Sequence, residues 1–505
     1  MGWIFLLLTF FFLPPTDSTS YVSPERSLEH TIRTILDAPE LQSALWGIHV
    51  VDIHSGQVLF SQNASKSFMP ASNFKLLTTA AALELLGPAF RYRTPLLFKG
   101  RIIGDTLMEG DFILRGSGDP TFGSPAFDRD PLTEWAQQLA TRGIRVIRGR
   151  LIGDDNVFDA PPYPPGWDVH YLPTEAFAAP SGGLVYRDNV AELWIDAHTQ
   201  PGTPPRLYSR PSRYLHIENA ANVHRRRTWT FQMKRPLGSR SILVQGKIPF
   251  RYRGRRDIPV DNPTYFTIYA FKQALMDAGI DVRELTLADI DDLDRPPSRH
   301  QAEELFTYIS PPLPEIIRVI NKESHNLFAE QLFLTIGKGN RKRAARRIRQ
   351  FLKRAHISTT GLSIKDGSGL SRKDLVTPEL LVQLLAYMYR SPFSSFYLAS
   401  LPSGGEKHTT LEDRLHGVPV QAKTGSLEFV RALSGYVNTA SGRMLAFSIL
   451  VNHYATSSRH IHAAINKIVQ ALAHGDFVNS PATSVQHPLP SGRFYLHEST
   501  ANNEP

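Results

Sequence analysis

Ser72 and Lys75 stand three positions apart in the stretch PASNFKLLTTAAALELLG, residues 70–87. On a helix that spacing puts both side chains on one face, within reach of a shared hydrogen bond. A serine hydroxyl attacks a carbonyl only when a base takes its proton. A lysine becomes such a base when burial or a second nearby cation lowers its pKa. The surrounding sequence promises burial: Phe74, Leu76, Leu77, Ala80, Ala81, Leu83 and Leu85 leave little room for a solvated face, and Gly87-Pro88 stop the helix. Alone, the pair also reads as a serine at a helix start with a lysine reaching out to water.

Two later stretches carry chemistry of the same kind. In NKESHNLFAE, Ser324 and Asn326 fall between a helix ending near Asn321 and one starting near Asn326, a corner from which two polar side chains can project into a cleft. The plain alternative is an N-cap, since serine and asparagine favour helix starts. In QAKTGSLEF, Lys423, Thr424, Gly425 and Ser426 lie on a strand, where Gly425 removes the side chain that would block a ligand's backbone. A second cation at Lys423 would help keep Lys75 neutral.

The elements that must position these groups can be read from periodicity. WGIHVVDIHSGQVLF, from Trp46, predicts a hairpin turned at His54-Ser55-Gly56, and the helix opened by Ser72 follows. From about Phe90 to Ile248 the pattern becomes short β-rich runs split by Gly, Pro and Asn. Helical periodicity returns in PTYFTIYAFKQALMDAGI, LPEIIRVINKESHNLFAEQLFLTIG and TPELLVQLLAYMYRS. Three apolar β runs then follow Val418, the last two joined at Ala440-Ser441-Gly442, and a helix from about Ser458 to Leu472 closes the fold.

The chain has 505 residues, 42% hydrophobic and 20% charged, which fits a globular protein of two to four domains at about 150 residues each. The absence of cysteine excludes thiol catalysis, disulfides and cysteine-bound metals. None of the histidines shows metal-ligand spacing. The net charge of +9 favours anionic surroundings, and loose association with a membrane or an anionic wall polymer fits it. No nucleic-acid reading module is visible. The densest basic run, RKRAARRIRQFLKRAH from Arg341, reads as the solvated face of an amphipathic helix. The apolar run Trp3–Leu13, followed by Pro14 and Pro15, has the shape of an export signal, with an interfacial anchor as the alternative. Beyond Gly475 the chain is polar, Pro-rich and aperiodic, as in a loose tail.

The order Ser-x-x-Lys at the head of a buried helix, Ser-x-Asn between helices, and Lys-Thr-Gly on a strand is the motif set of penicillin-recognising serine enzymes. With GDPTF at Gly118–Phe122, DGSGLSR at Asp366–Arg372, and a β-rich insert of roughly 200 residues between the first two motifs, the chain resembles the D-alanyl-D-alanine carboxypeptidase/endopeptidases. These are low-molecular-mass class C penicillin-binding proteins. The resemblance runs from about residue 30 to 474. It implies an α/β (α+β) fold: a penicillin-binding/β-lactamase-like domain, an antiparallel sheet covered by helices, with an inserted β-rich domain. The expected boundaries are 1–20 for the signal, 21–95 with 262–475 for the peptidase domain, 96–261 for the insert and 476–505 for the tail.

By the same resemblance, Ser72 is the nucleophile and Lys75 its proton acceptor. Ser324 relays a proton to the leaving amine and is held by Lys423. Asn326 fixes the acyl side-chain amide and bonds to Lys75. Thr424 and Ser426, beside Gly425, bind the terminal carboxylate of a peptidoglycan peptide stem. The backbone N–H groups of Ser72 and Ser426 form the oxyanion hole. Asp154 or Asp155 could receive the diaminopimelyl ammonium of the stem, or simply make a loop turn. Asp366 and Arg372 hold the loop near the cleft. β-Lactams become covalent inhibitors, no cofactor or metal is expected, and the expected location is the periplasm. A β-lactamase or esterase shares this machinery, but the chain shows no Glu-x-x-x-Asn or Tyr-x-Asn element in the expected place. A non-catalytic peptidoglycan-binding scaffold would have no reason to keep a buried lysine.

Overall fold

The computed structural model describes residues 24–225, 228–297 and 302–475. The expected signal at 1–20 and the tail at 476–505 lie outside the described residues. Helix α1 (Pro24–Leu36) leads to a hairpin of β1 (Leu45–Asp52) and β2 (Val58–Gln62), turned through Gly56 at φ 75°. A 3-10 turn, Ala71–Phe74, then runs into α2 (Lys75–Leu86). Every residue of α2 from Lys75 to Leu83 is buried, as expected of a helix that is apolar all round. Gly87 ends it at φ 82°, a conformation that side chains with a Cβ rarely adopt.

The insert follows: β3 (Arg93–Ile103), β4 (Leu107–Arg115), α3 (Pro131–Thr141), β5 (Val146–Asp154), β6 (Val190–Asp196), β7 (Arg206–Arg210), β8 (His216–His224), β9 (Gln232–Lys234), β10 (Ser241–Pro249) and β11 (Arg253–Pro259). It continues through α4 (Pro263–Asp277), β12 (Leu285–Asp289) and β13 (Glu303–Ile309). Its sheets have the orders β12-β5-β4-β3-β13, β11-β6-β7 and β8-β10-β9. The boundary drawn at 261/262 is therefore corrected. β13 pairs antiparallel with β3, and Phe266, Ile268 and Phe271 of α4 share one hydrophobic cluster with Trp135 of α3 and Leu151 of β5. Among the described residues these apolar faces pack within the insert's own core, so burial holds the unit together to Ile309.

The remaining chain returns to the first unit as α5 (Leu313–Lys322), α6 (Asn326–Ile336), α7 (Arg341–Arg354), α8 (Pro378–Arg390), α9 (Ser394–Ser400), β14 (Val420–Leu427), β15 (Val430–Asn438), β16 (Met444–Asn452) and α10 (Ser458–His474). Its sheet has the order β14-β15-β16-β1-β2, with every neighbouring pair antiparallel. The two-residue period divides its side chains between two cores. Leu433 and Val437 of β15, with Phe447 and Ile449 of β16, pack against α1 and α10. Ala432 and Tyr436, with Ala446 and Leu450, face the helices α2, α5, α6 and α8. Helix α7 buries Ala344, Ile348, Phe351 and Leu352, leaving most of its basic residues on the outer face. Strand β14 is an edge strand of this sheet, and its free side meets the turn that carries Ser72.

Candidate active site

Lys75 is fully buried, yet its Nζ donates to Ser72 Oγ at 2.9 Å, to Asn326 Oδ1 at 2.6 Å and to the Ser368 carbonyl at 2.8 Å. Burial pushes its pKa down to about 7, against the pull of the Asp366 and Glu330 charges, which raise it. Ser72 is half-buried and opens onto a cleft. The residue before it, Ala71, adopts φ 47°, a region sparsely populated by residues with a Cβ. Two contacts hold that turn: Asn73 Nδ2 donates to the Lys423 carbonyl at 2.8 Å, and Asn452 grips both backbone groups of Met69.

On the facing side, Lys423 Nζ donates to Ser324 Oγ at 2.9 Å and to the Thr424 carbonyl at 3.0 Å. Burial, then the Lys75 charge, holds its pKa well below the usual lysine range. Ser324 sits at φ 63° in the corner between α5 and α6. Beside it, His325 Nε2 lies 3.3 Å from Asp188 Oδ2 of the insert, a contact that ties this corner to the neighbouring unit. Asn326 accepts from Lys75 and donates its Nδ2 to the Phe177 carbonyl at 2.8 Å, so the insert also fixes the amide's orientation.

Some site groups escape motif spacing. Glu330 Oε1 accepts from Gly367 N and Ser368 N, both at 2.9 Å, while Oε2 accepts from Arg341 at 3.0 Å. Asp366 accepts from the backbone of Ser368, Gly369 and Ser371, and from Trp167 Nε1 at 2.8 Å. These bonds fold the DGSGLSR loop so that the Ser368 carbonyl meets Lys75. Burial first, then the Asp366 charge, raises Glu330 to about 7 and Asp374 well above the carboxylate range. A charged residue inside NLFAEQLFLTI was a readable signal for Glu330, by the same logic that marked Lys75. The Phe177 carbonyl leaves no trace in side-chain pattern.

Ser72, Ser324, Asn326, Thr424 and Ser426 line one cleft of about 490 Å³, together with Tyr171, Phe177, Leu370, Thr410, Arg414 and His462. Ala422 N donates to Pro402 O off the sheet edge. By the two-residue period the N–H groups of Thr424 and Ser426 point the same way, toward the cleft side of β14. Gly425 has a different reason from the one expected: a Cβ there would lie 2.8 Å from the Pro70 carbonyl and 3.1 Å from Asn73 Nδ2. Its bareness lets the strand approach the Ser72 turn rather than a ligand's backbone. Gly425→Ala should therefore part the two walls and slow acylation by a fluorescent penicillin about 10- to 100-fold, with an overpacking loss of about 1–3 kcal/mol in denaturant unfolding.

Asp154 and Asp155 do not join this group, and Asp154 Oδ1 accepts from Asn156 N at 3.3 Å, the loop turn named above as the alternative. Asp154 is buried at the end of β5, 4.0 Å from Arg115, and Asp155 accepts from Thr264 Oγ1 at 2.6 Å near the start of α4. Neither lines the cleft. Arg372 reaches Glu428 Oε2 at 3.2 Å and bridges the loop to the end of β14. Among the described residues, one acidic group has metal-like closeness: Asp155, Asp289 and Asp291, with oxygens within 4.8 Å of one another. It too lies off the cleft lining.

A model of the D-Ala-D-Ala carboxypeptidase 3 (S13) family matches residues 28–473. The chain is 32% identical over 452 residues to a D-alanyl-D-alanine carboxypeptidase of Actinomadura sp. (strain R39), covering 85% of this chain and 81% of that one. It is 26% identical over 430 residues to the D-alanyl-D-alanine carboxypeptidase DacB of Haemophilus influenzae, covering 81% and 86%. Its fold is similar to the crystal structure of penicillin binding protein 4 from Haemophilus influenzae, with a TM-score of 0.73 and 24% identity over 87% of this chain and 98% of that chain.

Proposed function

This chain belongs to the D-Ala-D-Ala carboxypeptidase 3 (S13) family, and on that premise we propose that it cleaves D-Ala-D-Ala peptide stems and their cross-links through an acyl-enzyme on Ser72. Lys75 Nζ takes the Ser72 proton as Oγ attacks the carbonyl of the penultimate D-alanine. The oxyanion that forms is met by the backbone N–H groups of Ser72 and Ser426, each such donor being worth about 3 kcal/mol in the transition state. The C–N bond then breaks, and the leaving amine receives a proton through Ser324, which Lys423 orients. Asn326 holds the acyl side-chain amide. Water attacks the ester and returns Ser72 to its free form. Penicillin follows the first half of this path and stays bound.

The observation that carries the reading is the buried Lys75 amine, 2.9 Å from Ser72 Oγ with a pKa lowered to about 7. A lysine with that pKa is half neutral near physiological pH, the state a base needs. The protein acts in the periplasm at the cell envelope. Supporting this are the apolar run Trp3–Leu13 and a basic surface suited to loose contact with anionic membrane or wall polymer.

The test is to incubate the purified chain with a pentapeptide stem and with a cross-linked dimer, and to identify products by mass. The expected result is release of one D-alanine from the first and conversion of the second to monomers. Neither product appearing, with an esterified model substrate turned over instead, would overturn it.

A further inference from the structure

Of the three consecutive residues in the corner between α5 and α6, Ser324 and Asn326 line the cleft and His325 does not. Its half-buried ring meets the insert instead. Nε2 lies 3.3 Å from Asp188 Oδ2, the ring lies 4.5 Å from that of Phe328, and Phe328 stacks in turn on Phe127 of the insert. Nδ1 is buried without a hydrogen-bond partner among the described residues, so the polar hold on this side chain passes through Nε2.

Both ends of that contact sit on strained backbone. Ser324, next to His325, is at φ 63°, and Asp188 is the middle of three residues, Arg187, Asp188 and Asn189, at φ 46°, 56° and 54°. Residues with a Cβ rarely enter this left-handed region in succession, and such strain survives only where the surroundings impose it. Here Asn189 Nδ2 donates to the Pro180 carbonyl at 2.7 Å, Val260 N donates to the Asn189 carbonyl at 2.9 Å, and Arg187 pairs with Glu192 at 3.1 Å. The turn is a fixed post. Burial works to raise the Asp188 carboxyl, but His325, then Ser124 and Arg187, hold it below the usual carboxylate range, so it meets the imidazole as an anion.

Asn326 is held by Lys75 and by the Phe177 carbonyl, whereas Ser324 Oγ has the long Lys423 side chain and a backbone that must stay in an unfavoured conformation. We propose that His325 is a positioning residue: its bond to Asp188 pins the corner from behind and keeps Ser324 where its Oγ can pass a proton to the leaving nitrogen. This rests on the acyl-enzyme reading above, in which the proton taken from Ser72 returns through Ser324 as the C–N bond breaks.

The experiment compares the full chain with His325→Gln, His325→Asn and Asp188→Ala on an acyl-D-Ala-D-Ala peptide and on a matched thiolester, whose thiolate leaves without taking a proton. Glutamine ends its amide nitrogen near the place of Nε2 and asparagine near that of Nδ1, so only glutamine keeps the bond to Asp188. His325→Asn and Asp188→Ala should each lower kcat on the peptide about 10- to 100-fold, the range for a misplaced group, with KM within about twofold of wild type. His325→Gln should stay within about threefold on the peptide, and all three variants within about threefold on the thiolester. His325→Asn combined with Asp188→Ala should be no slower than the worse of the two, since the pair acts as one unit. Should either of these variants fail to fold, Asp188→Asn is read in its place: it keeps an acceptor oxygen without the charge, and a loss of about 3- to 10-fold confined to the peptide is expected. Equal losses on peptide and thiolester, or glutamine and asparagine behaving alike, would overturn the positioning role. Mass mapping of penicillin-treated wild type separates the two readings. Ser72 labelled alongside equal losses sinks the positioning role alone, and Ser72 unlabelled sinks the acyl-enzyme reading and the positioning role with it.

Discussion

Ser72→Ala is expected to lower D-Ala-D-Ala peptide hydrolysis by about a million-fold and to leave no penicillin adduct, because the proposed acyl-enzyme forms on its Oγ. The fold should barely notice. Ser72 is half-buried and its Oγ serves as one of three acceptors for Lys75, so Asn326 Oδ1 and the Ser368 carbonyl keep that amine bonded. Stability should stay within about 1 kcal/mol of wild type in denaturant unfolding. Intact-protein mass after penicillin treatment and single-turnover hydrolysis are the measurements. An adduct persisting on the variant would place the nucleophile elsewhere. Wall-polymer binding and phenotype both unchanged in the variant would favour a scaffold.

Lys75→Met should lower kcat/KM by about 10³- to 10⁴-fold, the range for losing a positioned base. Its pH profile is the sharper readout. The base must be neutral, and its pKa is lowered to about 7. Wild-type kcat/KM should therefore rise with pH through about 7 and level off above it, and Lys75→Met should flatten that limb. The same shift has a stability consequence. The unfolded lysine holds its proton up to about 10.5, so between about 7 and 10.5 the unfolded state binds more protons than the folded one. This group's contribution to stability rises with pH across that window. Methionine removes that dependence and should raise the melting temperature at pH 7, since it fills similar space with no charge to bury. A variant that keeps the limb near 7 would mean that another group is the base.

The gathering of Ser72, Lys75, Ser324, Asn326 and Lys423 was legible because its chemistry is locally marked. A lysine in an apolar helix, a polar corner between two helices and a glycine on a strand each violate a local rule, and such violations gather at functional sites. The hairpin at Gly56 and the β14–β16 meander followed from turn residues and period. The insert's end was not legible, because helical periodicity says that α4 is a helix but not which core buries Phe266 and Phe271. The pairing of β13 with β3 is a long-range choice with no local trace. Asp154 and Asp155 were open between two readings for a related reason: an Asp-Asp pair marks a loop, and only the fold decides which cleft the loop faces. Asn73 lay hidden in the variable positions of Ser-x-x-Lys, although it joins the two walls of the site.

The insert does more than sit beside the peptidase unit. The Phe177 carbonyl, the Trp167 indole and the Asp188 carboxylate reach across to Asn326, Asp366 and His325. The proposed catalytic site is thus co-owned by two folding units, so neither half is a free-standing module for evolution or engineering to exchange. A lineage that gained this insertion could afterwards shed it only by rebuilding its own active centre.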